Sequence, residues 1–283
     1  VAAVVAVAKE RNIPIRVGAF RCEESSNFGC CTIGSGLVTR EISREKVAGL
    51  VSKDGQTLES IFAGRGYSLD PPRISGLAGY LELHIEQGKV LEESGTDIGI
   101  VQTIAGPRRF KIYLRGQAEH SGATPMALRS DAMCAAAELI LEIERLGCKE
   151  AAYQTVATVG VVNNKPNVMN VIPGEVELGV DIRGIDRTSL DRIELEMKDA
   201  AKRICFRRNI EYLEEKLSEF PPVNMSGDVQ MGLERAAQRL GISSRRMMSG
   251  AGHDAMAFPA LCETGMVFIP CQKGISHNRA EFA

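Results

Sequence analysis

Between about Pro107 and Ser218 the apolar residues change their spacing in an order that few folds can satisfy. Phe110 to Leu114 reads as a strand, and Ser130 is placed to cap a helix reaching about Leu146, with Ala132, Ala136, Leu139, Ile140 and Ile143 on one side. Thr155 to Val162 reads as a second strand. Val176, Leu178, Val180 and Ile182 alternate with Glu175, Glu177, Gly179 and Asp181, the period of a half-buried third strand. A helix starting near Thr188 carries Leu190, Ile193, Met197, Ala201 and Ile204 at helical spacing, and a last strand covers about Ile210 to Leu213. The order β-α-β-β-α-β predicts a ferredoxin-like split unit.

On either side of this stretch the pattern is that of an α/β domain. Val1 to Asn12 reads as a helix, Ile13 to Phe20 as a buried strand and 41–63 as short amphipathic helices, and Gly76 to Ile85 reads as another strand. After Pro221-Pro222 the spacing predicts a helix over Val229 to Leu240, a loop, and a strand over Met266 to Pro270. The expected architecture is therefore a mixed-sheet domain in two parts, 1–106 and 220–283, with 107–219 inserted between them. A chain of 283 residues is long enough for two cores, and a cleft between them is where small molecules bind. The chain opens inside a helix pattern and stops just after a histidine motif, so it reads as truncated at both ends.

A net charge of −2 with both signs interspersed argues against a nucleic-acid partner. No apolar run approaches the roughly 20 residues of a membrane span, and the Val1–Ala8 run breaks at Lys9-Glu10 without a cleavage pattern. The eight cysteines are scattered and form no C-x-x-C pair, which reads as free thiols in a reducing cytoplasm.

The four histidines mark the chemistry. His84 stands in E-L-H-I-E-Q-G, His253 in S-G-A-G-H-D-A, His277 in G-I-S-H-N-R-A-E and His120 in H-S-G-A-T-P; Glu23-Glu24 follows the Ile13–Phe20 run. Imidazoles and carboxylates can hold a divalent ion, and one further carboxylate can take a proton from water. Each residue also has a plain structural reading. The doublet could be two solvated carboxylates, His84 a satisfied core histidine, His253 part of a helix N-terminus capped by Asp254, and His120 a surface residue. Glu86-Gln87-Gly88 at the end of a buried strand must be paired or functional, because unpaired burial of polar groups is costly.

The segments G-Y-L-E-L-H-I-E-Q-G-K-V-L-E, G-Q-A-E-H-S-G-A-T-P-M-A-L-R-S-D-A, P-N-V-M-N-V-I-P-G-E-V, S-G-A-G-H-D-A-M and G-I-S-H-N-R-A-E together resemble the amidase, hydantoinase/carbamoylase family, in that family's order and over nearly the whole chain. That family contains N-carbamoyl-L-amino acid hydrolases, allantoate amidohydrolases and β-ureidopropionases, and is related to dinuclear zinc aminopeptidases and aminoacylases. The resemblance implies a zinc-peptidase-like domain with an inserted dimerisation domain. It makes Glu23 the general base, Glu24, His84 and His277 metal ligands, and His120 the group that polarises the scissile carbonyl across a homodimer. Asn170 and Arg183 match positions holding a substrate carboxylate, while Gln87, His253 and Gly252 match substrate-contacting positions.

Family members carry an earlier histidine and a metal-bridging aspartate upstream of the helix with which this chain begins, so the chain holds at most three of five expected ligands. The implied cofactors are two divalent ions, drawn from zinc, manganese, cobalt and nickel, in the full-length protein. The implied reaction is hydrolysis of the ureido C–N bond of an N-carbamoyl-L-amino acid. Allantoate or β-ureidopropionate are the alternative ureides. A fragment acting only in dimerisation or ligand binding is the alternative from another class, and a dinuclear peptidase is disfavoured by Asn170 and Arg183.

Overall fold

The computed structural model describes residues 2–24 and 27–283, which form two compact units, Val1–Glu82 with Gly252–Gly265, and Leu83–Ala251 with Met266–Ala283.

The first unit holds helices α1 (Ala2–Glu10), α2 (Ile33–Thr39), α3 (Arg44–Val47) and α4 (Leu58–Gly64). Its core gathers Phe28, Ile33, Leu37, Ile42, Val47, Leu58, Phe62 and Leu69, with Cys22 and Cys30 packed against it. Burial of each such large apolar side chain contributes about 1.5–3 kcal/mol relative to exposure. The short helices at 41–63 expected from the sequence are present as α3 and α4. The strand expected over Ile13–Phe20 is not: these residues form no regular element, and Ile13, Ile15 and Val17 are 56%, 43% and 55% exposed. A strand requires a neighbour to accept its backbone bonds, Pro14 has no N–H to offer, and among the described residues this run pairs with no ladder.

Strand β1 (Gly79–Ile85) passes from the first unit into the second, followed by α5 (Val90–Ser94) and β2 (Ile98–Ile104). Next come β3 (Gly106–Arg115), α6 (Ala132–Lys149), β4 (Val156–Lys165), β5 (Glu175–Gly184), α7 (Arg187–Arg208) and β6 (Glu211–Glu219). This is the β-α-β-β-α-β order read from the sequence. The chain ends with β7 (Val223–Asn224), α8 (Gly227–Leu240), β8 (Ser244–Ser249) and β9 (Glu263–Ile269).

Strands β4-β5-β3-β6 form an antiparallel four-stranded sheet, in register from Gly106↔Gly184 to Arg115↔Glu175 between β3 and β5. Its alternating Phe110, Ile112, Leu114, Val176, Leu178, Val180 and Ile182 pack against Ala136, Leu139 and Ile143 of α6 and Leu190, Ile193, Met197 and Ala201 of α7. The helix cap differs from expectation. Asp131, not Ser130, accepts the amides of Met133 and Cys134, and the Ser130 hydroxyl accepts instead from Asn209. Either side chain can cap; the backbone turn puts Asp131 at the boundary. The second helix, expected to start near Thr188, does so as α7, which begins at Arg187 with Asp186 as its cap. Helix α7 also covers Arg108, 4% exposed and ion-paired with Asp191, Glu194 and Glu219.

The other sheet centres on β2, parallel to β8 and antiparallel to β9 and β7. The chain leaves this sheet after β2, builds the four-stranded sheet, and returns at β7, where Thr103↔Asn224 and Ile104↔Val223 pair. Among the described residues no helix is long and apolar enough to cross a membrane.

Candidate active site

In the first unit the position of Glu23 is set by main chain. The amides of Thr32, Ile33 and Gly34, at the start of α2, donate to the carbonyls of Glu23, Cys22 and Arg21 at 2.8, 3.1 and 3.0 Å. This contact needs a glycine, since a Cβ on Gly34 would sit 2.7 Å from both the N and the O of Arg21. Thus the I-G-S-G sequence of α2 holds the acidic doublet by close backbone approach rather than by a preceding strand.

Glu23 Oε1 lies 3.8 Å from Nδ1 of His253, which is only 1% exposed. Burial first, then the nearby carboxylates of Glu24, Asp254 and Glu82, push the Glu23 carboxyl up to about 8. Sequence reasoning gave Glu82 no role and read Asp254 only as a possible helix cap. Asp254 is buried and accepts from the Ser35 hydroxyl of α2 at 2.6 Å, which ties the His253 turn to the helix that holds Glu23. Glu82 accepts from the Ala255 amide at 2.7 Å and from the Tyr80 hydroxyl at 3.1 Å. Tyr80 stacks on Phe258 at 3.8 Å, and burial next to Glu82 and Asp254 raises its phenol well above the usual range. One signal was available in the alternation Y-L-E-L-H: the structure half-buries Tyr80, Glu82 and His84 and leaves Leu81 and Leu83 exposed, an inversion that marks a strand face with a polar task. Gly252 precedes His253, and Glu24 is exposed.

In the second unit, His84 Nδ1 donates to the carbonyl of Ile85 at 2.8 Å, so its lone pair is on Nε2. Glu86, from the polar triplet, is structural. Its two oxygens accept the amides of Val90 and Leu91, each at 2.8 Å, and so cap α5. Glu92 of α5 accepts the Lys273 amide at 2.7 Å, and the Glu86 amide donates to Ile269 O at 2.9 Å. These bonds bring Gln87 and His277 together: the Gln87 amide nitrogen donates to His277 Nε2 at 3.4 Å. Both residues have left-handed backbone, φ 57° and 56°, an uncommon conformation that concentrates at functional sites.

His120 has the opposite tautomer. Its Nδ1 accepts the Gly122 amide at 3.1 Å, which places the ring proton on Nε2. The His120 turn is joined to the loop bearing Asn170, since the Ser121 amide donates to Asn170 O at 3.0 Å and His120 bridges Val171. Arg183, near the end of β5, donates from Nε to Asp181 at 2.7 Å and from Nη1 to Gly250 O at 2.8 Å. Asp181 in turn accepts from Arg109 at 3.3 Å across the β3–β5 pairing.

The donor chemistry fits a divalent cation. Carboxylates crowd Glu23; His84, with Nδ1 donating to Ile85 O, has its lone pair on Nε2, and the Nε2 lone pair of His277, which accepts from Gln87 here, is of the same metal-ligating type. Among the described residues no three His, Cys, Asp or Glu side chains form a metal-holding group by themselves.

The model of peptidase family M20/M25/M40 matches residues 1–283. The chain belongs to this family. Within it the likeness is to amidases of the hydantoinase/carbamoylase type: the crystal structure of a member from Burkholderia multivorans matches with a TM-score of 0.89 and 33% identity, covering 99% of this chain and 69% of that one. An uncharacterized hydrolase of Haemophilus influenzae is 39% identical over 96% of this chain and 68% of its own length. An N-carbamoyl-L-amino acid amidohydrolase of Geobacillus stearothermophilus is 38% identical over 95% of this chain. This chain spans 66% of that relative's length.

Proposed function

We propose that the full-length protein hydrolyses the ureido C–N bond of an N-carbamoyl-L-amino acid, giving the amino acid, ammonia and carbon dioxide. The observation that carries this substrate class is the Arg183 guanidinium, held by Asp181 and Gly250 O with N–H groups still to give a carboxylate. Asn170 contributes a second contact to that carboxylate, and Gln87, His253 and Gly252 complete the substrate site.

Glu24, His84 and His277 would hold divalent cations, whether zinc, manganese, cobalt or nickel. Such ions, when bound, lower the pKa of water and polarise a carbonyl. Glu23 takes a proton from the attacking water and returns it to the leaving amino nitrogen; a carboxyl pushed up to about 8 is matched to proton transfer in both directions near neutrality. His120, with its proton on Nε2, donates to the developing oxyanion.

Residues 107–219 serve in this reading as a dimerisation domain inserted between 1–106 and 220–283. The sheet supports it: the outer edge β4 carries exposed Val156, Val161 and Val162, whereas the other edge, β6, is blunted by Glu211, Glu214, Glu215, Lys216 and Glu219. The eight cysteines are unpaired, which suits a reducing compartment, and the cytoplasm is the proposed location.

The test is ammonia release by full-length, metal-loaded protein from a panel of N-carbamoyl amino acids, allantoate, β-ureidopropionate and dipeptides. N-carbamoyl amino acids are expected to turn over fastest. Absence of both bound metal and turnover would support a dimerisation or ligand-binding module instead.

A further inference from the structure

The turn that carries His120 is gripped by a side chain to which the reaction above gives no task. Arg129 directly follows the 3-10 turn Met126–Leu128 and is half-buried. Its guanidinium folds back over the turn, donating from Nε to Thr124 O at 3.0 Å and from Nη2 to Ser121 O. The amides of Ala123 and Thr124 close the turn on His120 O at 3.2 and 3.1 Å. The imidazole lies against Gly122, where an added Cβ would stand 3.4 Å from Cε1.

One peptide plane connects the two ends of this arrangement. Ser121 O, which Arg129 holds, and Gly122 N–H, which donates to His120 Nδ1, belong to the same amide group. That group is planar and its two ends point in opposite directions, so fixing the oxygen aims the N–H. The Ser121 amide, on the neighbouring plane, is fixed separately by Asn170 O. Without Arg129 the Ser121–Gly122 plane loses the hydrogen bond that holds its oxygen and can turn with the backbone on either side. Turned, it no longer donates to Nδ1, and the imidazole proton is free to occupy either nitrogen.

We propose that Arg129 is the positioning residue of His120: by holding the oxygen of the Ser121–Gly122 peptide it directs the opposite N–H at Nδ1 and keeps the imidazole proton on Nε2. The role that follows, donation from Nε2 to a substrate oxygen, rests on the function proposed above. The tautomer itself does not.

The experiment is ¹⁵N NMR of histidine-labelled full-length protein at alkaline pH, where imidazoles are neutral, with His120→Gln identifying the His120 signals. The wild type is expected to show the Nε2–H form. Arg129→Met is expected to mix the two tautomers and to lower kcat about tenfold, the effect of about 1.4 kcal/mol, with KM nearly unchanged. Arg129→Lys, whose ammonium reaches one carbonyl at a time, should fall between and guards against a folding defect in the first variant. A wild-type Nδ1–H form, or an unaltered tautomer in both variants, overturns the inference. A changed tautomer with unchanged kcat upholds it and instead removes His120 from the chemistry.

Discussion

The carboxylate of Glu23 stands 3.8 Å from the imidazole Nδ1 of His253, a contact between residues 230 positions apart whose ring is almost wholly buried. Around this pair the structure places Glu24, Glu82 and Asp254, and burial first, then the field of these carboxylates, lifts the Glu23 carboxyl.

That lift has a pH signature. The folded protein keeps the Glu23 proton up to about 8, whereas the unfolded chain releases it near the ordinary value of about 4.3. Between these limits the native state binds more protons than the unfolded state, so stability in the absence of divalent cations falls as pH rises through this window and is level above it. Glu23→Gln should flatten this slope in thermal melts taken across the window, and should lower kcat by about 10²–10⁴. Equal slopes in variant and wild type would contradict the burial argument.

Gly34→Ala tests how the doublet is held. A methyl group 2.7 Å from the Arg21 backbone cannot be relieved by a side-chain rotation, so Arg21–Glu23 must move away from α2. A loss of about 1–3 kcal/mol in urea unfolding is expected, together with a fall in kcat larger than that of Gly232→Ala, where a Cβ meets open space.

Arg183→Lys should raise KM for carboxylate-bearing ureides about 10- to 100-fold, the loss of roughly 1.5–3 kcal/mol from a charge-assisted pair. The corresponding carboxamide substrates should be affected little. A similar KM change for both would place the carboxylate elsewhere.

Val161→Lys puts a charge on the exposed edge of β4 next to its bulge at Val159/Val161. If this edge joins two copies of the chain, light scattering should show the variant shifted toward monomer, with the melting temperature at low protein concentration unchanged. Lys216→Glu on β6, the edge already charged, should leave the assembly as it is.

The four-stranded sheet and its two helices were legible because their signals are local. Val176 to Ile182 alternate with period 2, Leu190 to Ile204 recur at helical spacing, and every one of these residues is buried as that spacing requires. Strand β8, S-R-R-M-M-S, carries no such alternation; its backbone is ordered by parallel pairing with β2, a partner more than 130 residues earlier. The opposite error occurred at Ile13–Phe20, where an apolar run suggested a buried strand that finds no ladder among the described residues. In the polar triplet after His84 the sequence required a partner or a function for Glu86 without distinguishing them, and the α5 amides supply the partner.

From the order of its amino acids alone one can read the elements between Pro107 and Ser218 and the residues able to do chemistry, because periodicity and donor type are properties of short segments. Which of those residues face one another required the folded chain. Ser35 meets Asp254, Glu82 meets the Ala255 amide, and Gln87 meets His277 only after loops of some 170 to 220 residues have closed. The tautomers of His84 and His120 differ for the same reason: each is set by which backbone group, a carbonyl or an amide, the fold turns toward Nδ1.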